Sequence, residues 1–513
     1  MRKILIGLGL LILVLIAAPL VMLASGTIDR SSLLMLLNNI TGAGGPAATE
    51  AKVRQRYQVP EGFNVQLYVS DLPKARFMHF TTAGDLLVSR PHAGDIILLR
   101  RDANGDGSPD GRETLIEGLK RPLGLETDNN WLYIAESNRI GRILFDAATG
   151  SLEGPMHTVI GDLTDEGNHW SKTIRIGPDK KLYLAQGSTC NVCEEEDTRR
   201  ATLMRFALDG SAPETIATGL RNSVGFDWAP FSGELFATDN GRDLLGDNFP
   251  HCELNRIEDG GFYGWPYFND DNQQDPDMGE DPLAGQRDPI APSHNFRPHN
   301  APLGITFLRG DTLPEAYKRT ALVALHGSWN RSSPDGYKVV SLHFGETVEA
   351  GEVPEIQERD FLSGFNAAGE ISGRPVDVAQ GPGGAIYVSD DYAGAIYRIS
   401  YDENLAAATA PMVIPIEDRL DSAPPGWLAE ANLPDMSERG AALYQQYGCA
   451  SCHEQGENPN RLDDLAQRLG YSAVIDTLTA PPSPMPVLPL RENDKRDLAV
   501  FLLGTDSEES VSP

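Results

Sequence analysis

The chain has 513 residues, too many for one small domain and suited to a large domain with a small one beside it. Apolar residues make up 41% and charged residues 23%, the balance of a folded chain rather than a disordered one, while 51 Gly and 36 Pro favour a turn-rich β body over a helical one. A formal net charge of −30 excludes nucleic-acid binding, which needs a basic face, and reads as a solubilising surface.

In chain order, Arg2 and Lys3 precede an almost uncharged run from Ile4 to about Ser25. About 20 apolar residues can span a bilayer, and the positive flank stays on the cytoplasmic side. Residues 1–25 are therefore expected to carry the rest of the chain into the periplasm, either as an inner-membrane anchor or as a signal peptide cut near Leu23-Ala24-Ser25. Residues 26–56, low in aromatics and containing Gly42-Ala43-Gly44-Gly45-Pro46, read as a linker.

A body over residues 57–404 follows, and it repeats. Each unit has an apolar strand, a turn carrying charge or Gly, and a second alternating strand. The units are Leu86-Leu-Val-Ser with Ile96-Ile-Leu-Leu, Leu132-Tyr-Ile-Ala with Arg142-Ile-Leu-Phe, Leu182-Tyr-Leu-Ala with Leu203-Met-Arg-Phe, Leu235-Phe-Ala-Thr with Leu254-Asn-Arg-Ile, Ala321-Leu-Val-Ala with Val339-Val-Ser-Leu, and Ile386-Tyr-Val-Ser with Ile396-Tyr-Arg-Ile. Period-two alternation with β-branched and aromatic residues marks strands, and sheets recurring every 45–60 residues or so point to an all-β six-bladed propeller. A two-sheet sandwich would not repeat so regularly. Propellers carry their chemistry on loops at one mouth of the central channel, so the residues just after each Leu-Tyr-Val-Ala-like strand are the ones to read.

Between the first two units, Asp102, Asn104, Asp106, Asp110 and Glu113 place oxygen donors at loop positions 1, 3, 5, 9 and 12, with Gly107 at position 6. That is close to an EF-hand loop without its helices, a structural Ca²⁺ site joining the first two blades or a plain Asx-rich turn. Of five Cys, Cys190 and Cys193 are expected to form a small-loop disulfide in an oxidising compartment. A zinc site would need Cys252 and a His to converge on them, so Cys252 is left free or paired differently.

Residues 405–432, rich in Ala and Pro, read as a second linker, 433–505 as a small all-α domain and 506–513 as an acidic tail. The small domain contains Cys449-Ala-Ser-Cys452-His453, the attachment signature of haem c: Cys449 and Cys452 bind the vinyl groups and His453 the iron. Met485, in a Pro-rich loop and the only Met after the motif, is the expected second axial ligand. An amphipathic helix over Ser437–Tyr447 should pack against a terminal one over Asn493–Leu503. The body has no G-x-G-x-x-G after a strand, so a cofactor in the propeller mouth is left as the electron source.

The body carries Gly167-Asn-His169-Trp, Ile174-Arg-Ile-Gly-Pro-Asp179, Gly219-Leu-Arg221-Asn222, Thr238-Asp-Asn-Gly241-Arg242-Asp243 with Glu253-Leu-Asn255, Gly261-Phe-Tyr-Gly-Trp-Pro266, His326-Gly-Ser-Trp-Asn-Arg331 and Gly373-Arg374-Pro-Val-Asp377. In these stretches and their order it resembles the soluble propeller family of pyrroloquinoline quinone (PQQ) dehydrogenases, of the aldose and sorbosone dehydrogenase type. PQQ is an anionic tricarboxylate o-quinone, so its pocket calls for Arg or Lys. The resemblance implies that Arg221 polarises the reactive carbonyl with Asn222 beside it, that Arg374 holds a carboxylate, and that Arg331 stands where some relatives use a Lys. It implies His169 as general base for the substrate hydroxyl, with His326 and His299 as pocket-lining or loop-capping candidates. It also implies Ca²⁺ held by the backbone carbonyls of Gly241 and Arg242, although the long segment from Asp243 to Cys252 leaves the oxygens open. The function expected is periplasmic oxidation of a sugar, hemiacetal or related alcohol, with electrons passing to the chain's own haem c and on to a respiratory cytochrome or the quinone pool. The alternatives are a calcium-dependent propeller lactonase with an appended cytochrome, and a propeller binding module tethered to one.

Overall fold

The computed structural model describes residues 44–346, 354–367, 370–402, 425, 427–428, 432–447, 449, 462, 465, 469–479, 488 and 490–504. The chain forms two compact units, Met1–Thr409 and Ala410–Pro513. The expected anchor (1–25), the acidic tail (506–513) and the haem residues Cys452, His453 and Met485 lie outside the described residues. Among the described residues, no helix is long and apolar enough to cross a membrane.

The first unit is a six-bladed β-propeller. In order, the blades are built from Met78–Phe80, Leu86–Arg90, Asp95–Arg100 and Gly111–Ile116; Leu125–Asp128, Trp131–Glu136, Arg139–Asp146 and Ser151–Ile160; Lys172–Ile176, Leu182–Gln186, Thr202–Phe206 and Glu214–Thr218; Ser223–Trp228, Leu235–Asp239, Cys252–Ile257 and His294–Phe296; Pro302–Phe307, Thr320–Leu325, Lys338–Phe344 and Ile356–Leu362; and Pro375–Gln380, Ile386–Asp390 and Ala395–Tyr401. The third blade adds a parallel edge, Gly261–Phe262. The last blade takes its outermost strand from the other end of the chain: Phe63–Val69 pairs with Ala395–Tyr401, Phe63 opposite Tyr401. Phe63 seals this closure, its ring 5.1 Å from those of Tyr317 and Phe361 and 5.2 Å from that of Tyr401.

All six sequence repeats fall on the second and third strands of their blades. These are the strands with blade neighbours on both faces, so they carry the strongest apolar signal. The innermost strands are short and approach one another at the axis. Gly124, Gly225 and Gly304 stand at the contacts; a Cβ on Gly225 would lie 2.2 Å from the carbonyl oxygen of Leu303, and one on Gly124 2.6 Å from the amide of Ile174. Phe77, Leu123, Val224, Leu303 and Val376, one from each of five blades, pack on one another at the head of the inner strands and so close the channel with an apolar plug.

Antiparallel pairing sorts the loops. Connections between the second and third strands of a blade, and between blades, lie on one face; connections between first and second, and third and fourth, lie on the other. The turns at Gly177-Pro-Asp-Lys and Gly381-Pro-Gly-Gly belong to the second group, as does the acidic loop of Asp102 to Asp110, which joins the third and fourth strands of the first blade. The expectation that it links two blades is corrected accordingly. Within the stretch expected as a linker, Glu50–Arg56 form a helix, α1, which starts where the Thr49 hydroxyl accepts the Lys52 amide at 3.3 Å. It docks through Glu50, which accepts the Leu67 amide at 2.9 Å, and Arg56, which donates to the Gly364 carbonyl at 3.0 Å.

In the second unit, three helices are described: α2 (Leu433–Gln446), α3 (Tyr471–Thr479) and α4 (Glu492–Leu503). α2 begins four residues ahead of the expected Ser437, because Pro434 is tolerated in a first turn. The expected packing of first helix on last is found. Gly440 lies against the backbone of Asp497, Arg439 pairs with the Asp497 carboxylate at 2.7 and 2.8 Å, and Tyr444 faces Phe501 at 5.3 Å. α3 has no cap signal in the sequence and was not expected. Cys449 is half-buried against this core.

Candidate functional site at the propeller mouth

Most of the sequence-selected residues of the propeller stand on the loop face where second strands end and first strands begin. They fall into two groups.

The first group joins the third and fourth blades. His169 precedes the inner strand of the third blade, Arg221 and Asn222 precede that of the fourth, and Gly187 lies between them. A Cβ on Gly187 would stand 2.4 Å from Asn222 Oδ1 and 2.7 Å from His169 Cβ, so only glycine lets His169 and Asn222 come together here. His169 Nδ1 faces the Ser188 carbonyl at 3.0 Å and Ser188 Oγ at 2.9 Å. The Ser188 hydroxyl spends its proton on the Cys190 carbonyl at 2.7 Å, so Oγ accepts here and the histidine proton sits on Nδ1. Nε2 therefore carries the lone pair. Burial, and then the guanidinium charges of Arg221 and Arg200, push the imidazole down to about 3. It is a neutral base at physiological pH.

Arg221 is buried. Its Nε and Nη2 donate to Asn191 O at 2.9 Å and Asn191 Oδ1 at 2.8 Å, Nη1 donates to Asn240 O at 3.0 Å, and Nη2 also meets Asp243 Oδ2 at 2.8 Å. Four of its five N–H donors are thus used. Among the described residues, Asn222 Oδ1 is buried without a partner.

Behind Gly241 and Arg242 lies an acidic pair, Asp239 buried and Glu253 half-buried. Asp239 and Glu253 face each other across two strands. Burial lifts Asp239 to about 7 and holds Glu253 well above the usual carboxylate range, where the Asp239 charge adds to the effect. Among the described residues, the Glu253 side chain is met by Asn255 Nδ2 at 3.0 Å. The Arg242 side chain turns away, into an ion pair with Asp275 and Asp277.

The second group joins the fifth, sixth and first blades. His326 Nε2 lies 3.0 Å from Asp391 Oδ1, and Arg76 Nη1 donates to Asp391 Oδ2 at 2.6 Å. Arg374 donates from Nε to the His326 carbonyl and from Nη2 to the Gly327 carbonyl, both at 3.1 Å, leaving Nη1 with no protein acceptor among the described residues. Burial takes His326 down to about 4, while His326 and Arg76 hold Asp391 far below the usual carboxylate range. Lys74 and His92 adjoin this group and are both lowered, by burial first.

Two further candidates stand on the same face. Arg331 donates to the carbonyls of Asp247 and, at 3.2 Å, Pro298, and His299 Nε2 lies 2.8 Å from the Gly246 carbonyl; both brace the 243–252 loop. The mouth's further cation is Arg76, two residues before its blade's inner strand just as Arg221 is two before its own. That shared register was the signal available in the sequence. Arg200 was also missed. It is fully buried and donates to the carbonyls of Gly187, Thr164, His169 and Ser188 at 2.6–2.9 Å, fixing the His169 backbone. The acidic loop lies on the opposite face. Its Asp102 accepts the amides of Gly105, Asp106 and Gly107, Asp110 accepts from Ala103 and Asn104, and Glu113 pairs with Arg100. Cys190 and Cys193 are disulfide-bonded, and Cys252 is a buried thiol pushed up to about 11.

Among known proteins, an uncharacterised protein of Borreliella burgdorferi is 29% identical over 384 residues, 72% of this chain and 96% of that one. A pyrroloquinoline quinone-dependent pyranose dehydrogenase of Coprinopsis cinerea is 26% identical over 414 residues, 67% of this chain but 55% of that protein. The calcium structure of a Trichoderma reesei carbohydrate-active enzyme of family AA12 superposes with a TM-score of 0.58 at 21% identity, over 68% of this chain and 97% of that one. The TrAA12-like family model matches residues 57–256 and 272–402, which is the propeller from end to end. The chain belongs to the TrAA12-like family.

Proposed function

We propose that the propeller is a PQQ-dependent dehydrogenase of sugars, hemiacetals or related alcohols, and that its electrons pass to a haem c in the second unit and on to a respiratory acceptor in the periplasm. The observation that carries this reading is a neutral histidine with its Nε2 lone pair free, set beside Asn222 and Arg221 in a mouth whose other cations lack full complements of protein acceptors.

The residues fit the quinone. A tricarboxylate needs fixed cations, and Lys74, Arg76 and Arg374 surround one strong anion, Asp391. Arg76 Nε and Asn222 Oδ1 are buried without partners among the described residues, atoms that a bound polar group would satisfy. The Asp239–Glu253 pair behind the Gly241 and Arg242 carbonyls likewise fits a Ca²⁺ ion, which would restore both carboxylates to their charged state. Bound PQQ supplies a two-electron acceptor at its quinone carbonyl. The chain's part is to hold substrate so that His169 Nε2 takes the hydroxyl proton, while the positive charge at Arg221 favours electron density arriving beside it. Nδ1–H, fixed on Ser188, keeps the imidazole from turning its proton towards the substrate. The relative named as a PQQ-dependent pyranose dehydrogenase supports the cofactor and the substrate class. The C-x-x-C-H signature with Met485 supports the haem, and Arg2-Lys3 with the apolar run supports export and an inner-membrane anchor.

His169→Ala tests the chemistry. It should bind PQQ as the wild type does, seen as a shift of quinone absorbance, yet lose sugar-driven haem reduction by roughly 10²–10⁴-fold. Retention of the wild-type rate would remove His169 from the reaction.

A further inference from the structure

The four-residue loop closed by Cys190 and Cys193 touches both halves of the proposed chemistry, and nothing in the sequence reading gave it a role there. Asn191 makes most of the contacts. Its carbonyl accepts from Arg221 Nε at 2.9 Å and from Trp265 Nε1 at 3.3 Å. Its side-chain Oδ1 accepts from Arg221 Nη2 at 2.8 Å and from the Asp243 amide at 2.9 Å, and its Nδ2 donates to the Asp243 carbonyl at 3.1 Å. One residue thus takes a two-pronged hold on the Arg221 fork and ties it to the segment beside the candidate calcium carbonyls. On its other side, the Cys190 carbonyl accepts the Ser188 hydroxyl at 2.7 Å, the bond that makes Ser188 Oγ an acceptor and sets the His169 tautomer.

We infer that Asn191 is the positioning residue for Arg221 and that the Cys190–Cys193 disulfide exists to hold it, fixing the direction of the guanidinium and the tautomer of His169 together. This inference rests on the proposed dehydrogenase reading. Residue chemistry explains why an amide stands at 191. Asn orients the fork with neutral oxygens, so of the four Arg221 donors in use only the one on Asp243 meets a charge; an Asp at 191 would hold the same geometry while cancelling the positive charge. The loop has no strand ladder of its own, since the strand before it ends at Gln186 and the next begins at Thr202, and beside the disulfide its ends are tied by Glu195, which accepts from the Thr189 amide at 2.6 Å and hydroxyl at 3.0 Å. A bond between its ends removes most of its freedom to turn Asn191 away.

Full-length holoenzyme with PQQ and Ca²⁺ provides the test, using the variants Asn191→Ala and Cys190→Ser/Cys193→Ser. For each, PQQ affinity, KM, kcat and the acid limb of kcat/KM are read alongside the melting temperature. The expected result is PQQ binding within a few-fold of wild type, KM within about threefold, kcat lower by roughly tenfold or more, and an acid limb that moves up towards 6.5 as Arg221 loosens beside His169. A loop with only a structural role would lower the melting temperature and leave kcat and the acid limb where they were. A folded Asn191→Ala protein with wild-type kcat and acid limb overturns the inference even if the double Cys variant fails to fold. Absence of PQQ binding by the wild type overturns the dehydrogenase reading, and this inference with it.

Discussion

Burial keeps His169 neutral, whereas its partners keep Asp391 ionised in spite of burial in the same mouth. His169 is depressed to about 3 by burial, so it is protonated only in strong acid, and as the proposed base it would be lost only there. The kcat/KM profile should therefore show no histidine inflection between pH 5.5 and 8, and its acid limb should lie well below 6.5; a limb at 6.5 would mean that His169 is exposed to water in the working enzyme. Asp391 is depressed by His326 and Arg76 in spite of burial. A carboxylate lowered in the folded state contributes stability that is present above its unfolded value, 3.8, and lost as pH falls through the folded one. Asp391→Asn leaves Arg76 without its anion and should cost on the order of 3 kcal/mol at pH 7, a difference in chemical denaturation that narrows below about pH 4. At this scale the sequence was legible where motifs were local: His169, Arg221, Asn222 and Arg374 do stand at the mouth. The six-residue stretch around Arg331 says nothing of the 243–252 loop that its guanidinium meets. The sequence was silent on Arg200, which sits in no motif, and marked Arg76 only by the register it shares with Arg221.

The second and third strands of each blade were legible because both of their faces are buried, which writes long apolar runs. The inner strands were not. Some have three to five residues, and their glycines look like breaks until the close approach at the axis is seen. The closing strand was hidden for another reason: its pairing partner lies more than 300 residues away, beyond any local pattern. That closure should govern stability. Phe63→Ala removes a ring packed on Tyr317, Phe361 and Tyr401 and should cost roughly 3–5 kcal/mol, read as a lower melting temperature with early exchange of the amides of Ala395–Tyr401. Early exchange in a different blade would show that unfolding starts elsewhere. The helix at Glu50–Arg56 was read as linker because a helix of seven residues leaves little periodicity, and its stability comes from docking through Glu50 and Arg56 rather than from propensity.

For the whole molecule, a propeller whose axis is plugged by Phe77, Leu123, Val224, Leu303 and Val376 has two separate faces, and the candidate chemistry occupies one of them. The small helical unit was legible in its first and last helices and not in α3, whose nine residues offer too few turns to set a periodic pattern apart. In the proposed function, electrons flow from substrate through the propeller mouth to a haem c on Cys449, Cys452 and His453. The most direct test is to follow haem absorbance in the full-length protein, prepared without PQQ, while a panel of aldoses is supplied with Ca²⁺. The account predicts no haem reduction until PQQ is added and prompt reduction afterwards with at least one sugar; haem that stays oxidised with PQQ present, in a protein that hydrolyses lactones, would contradict it.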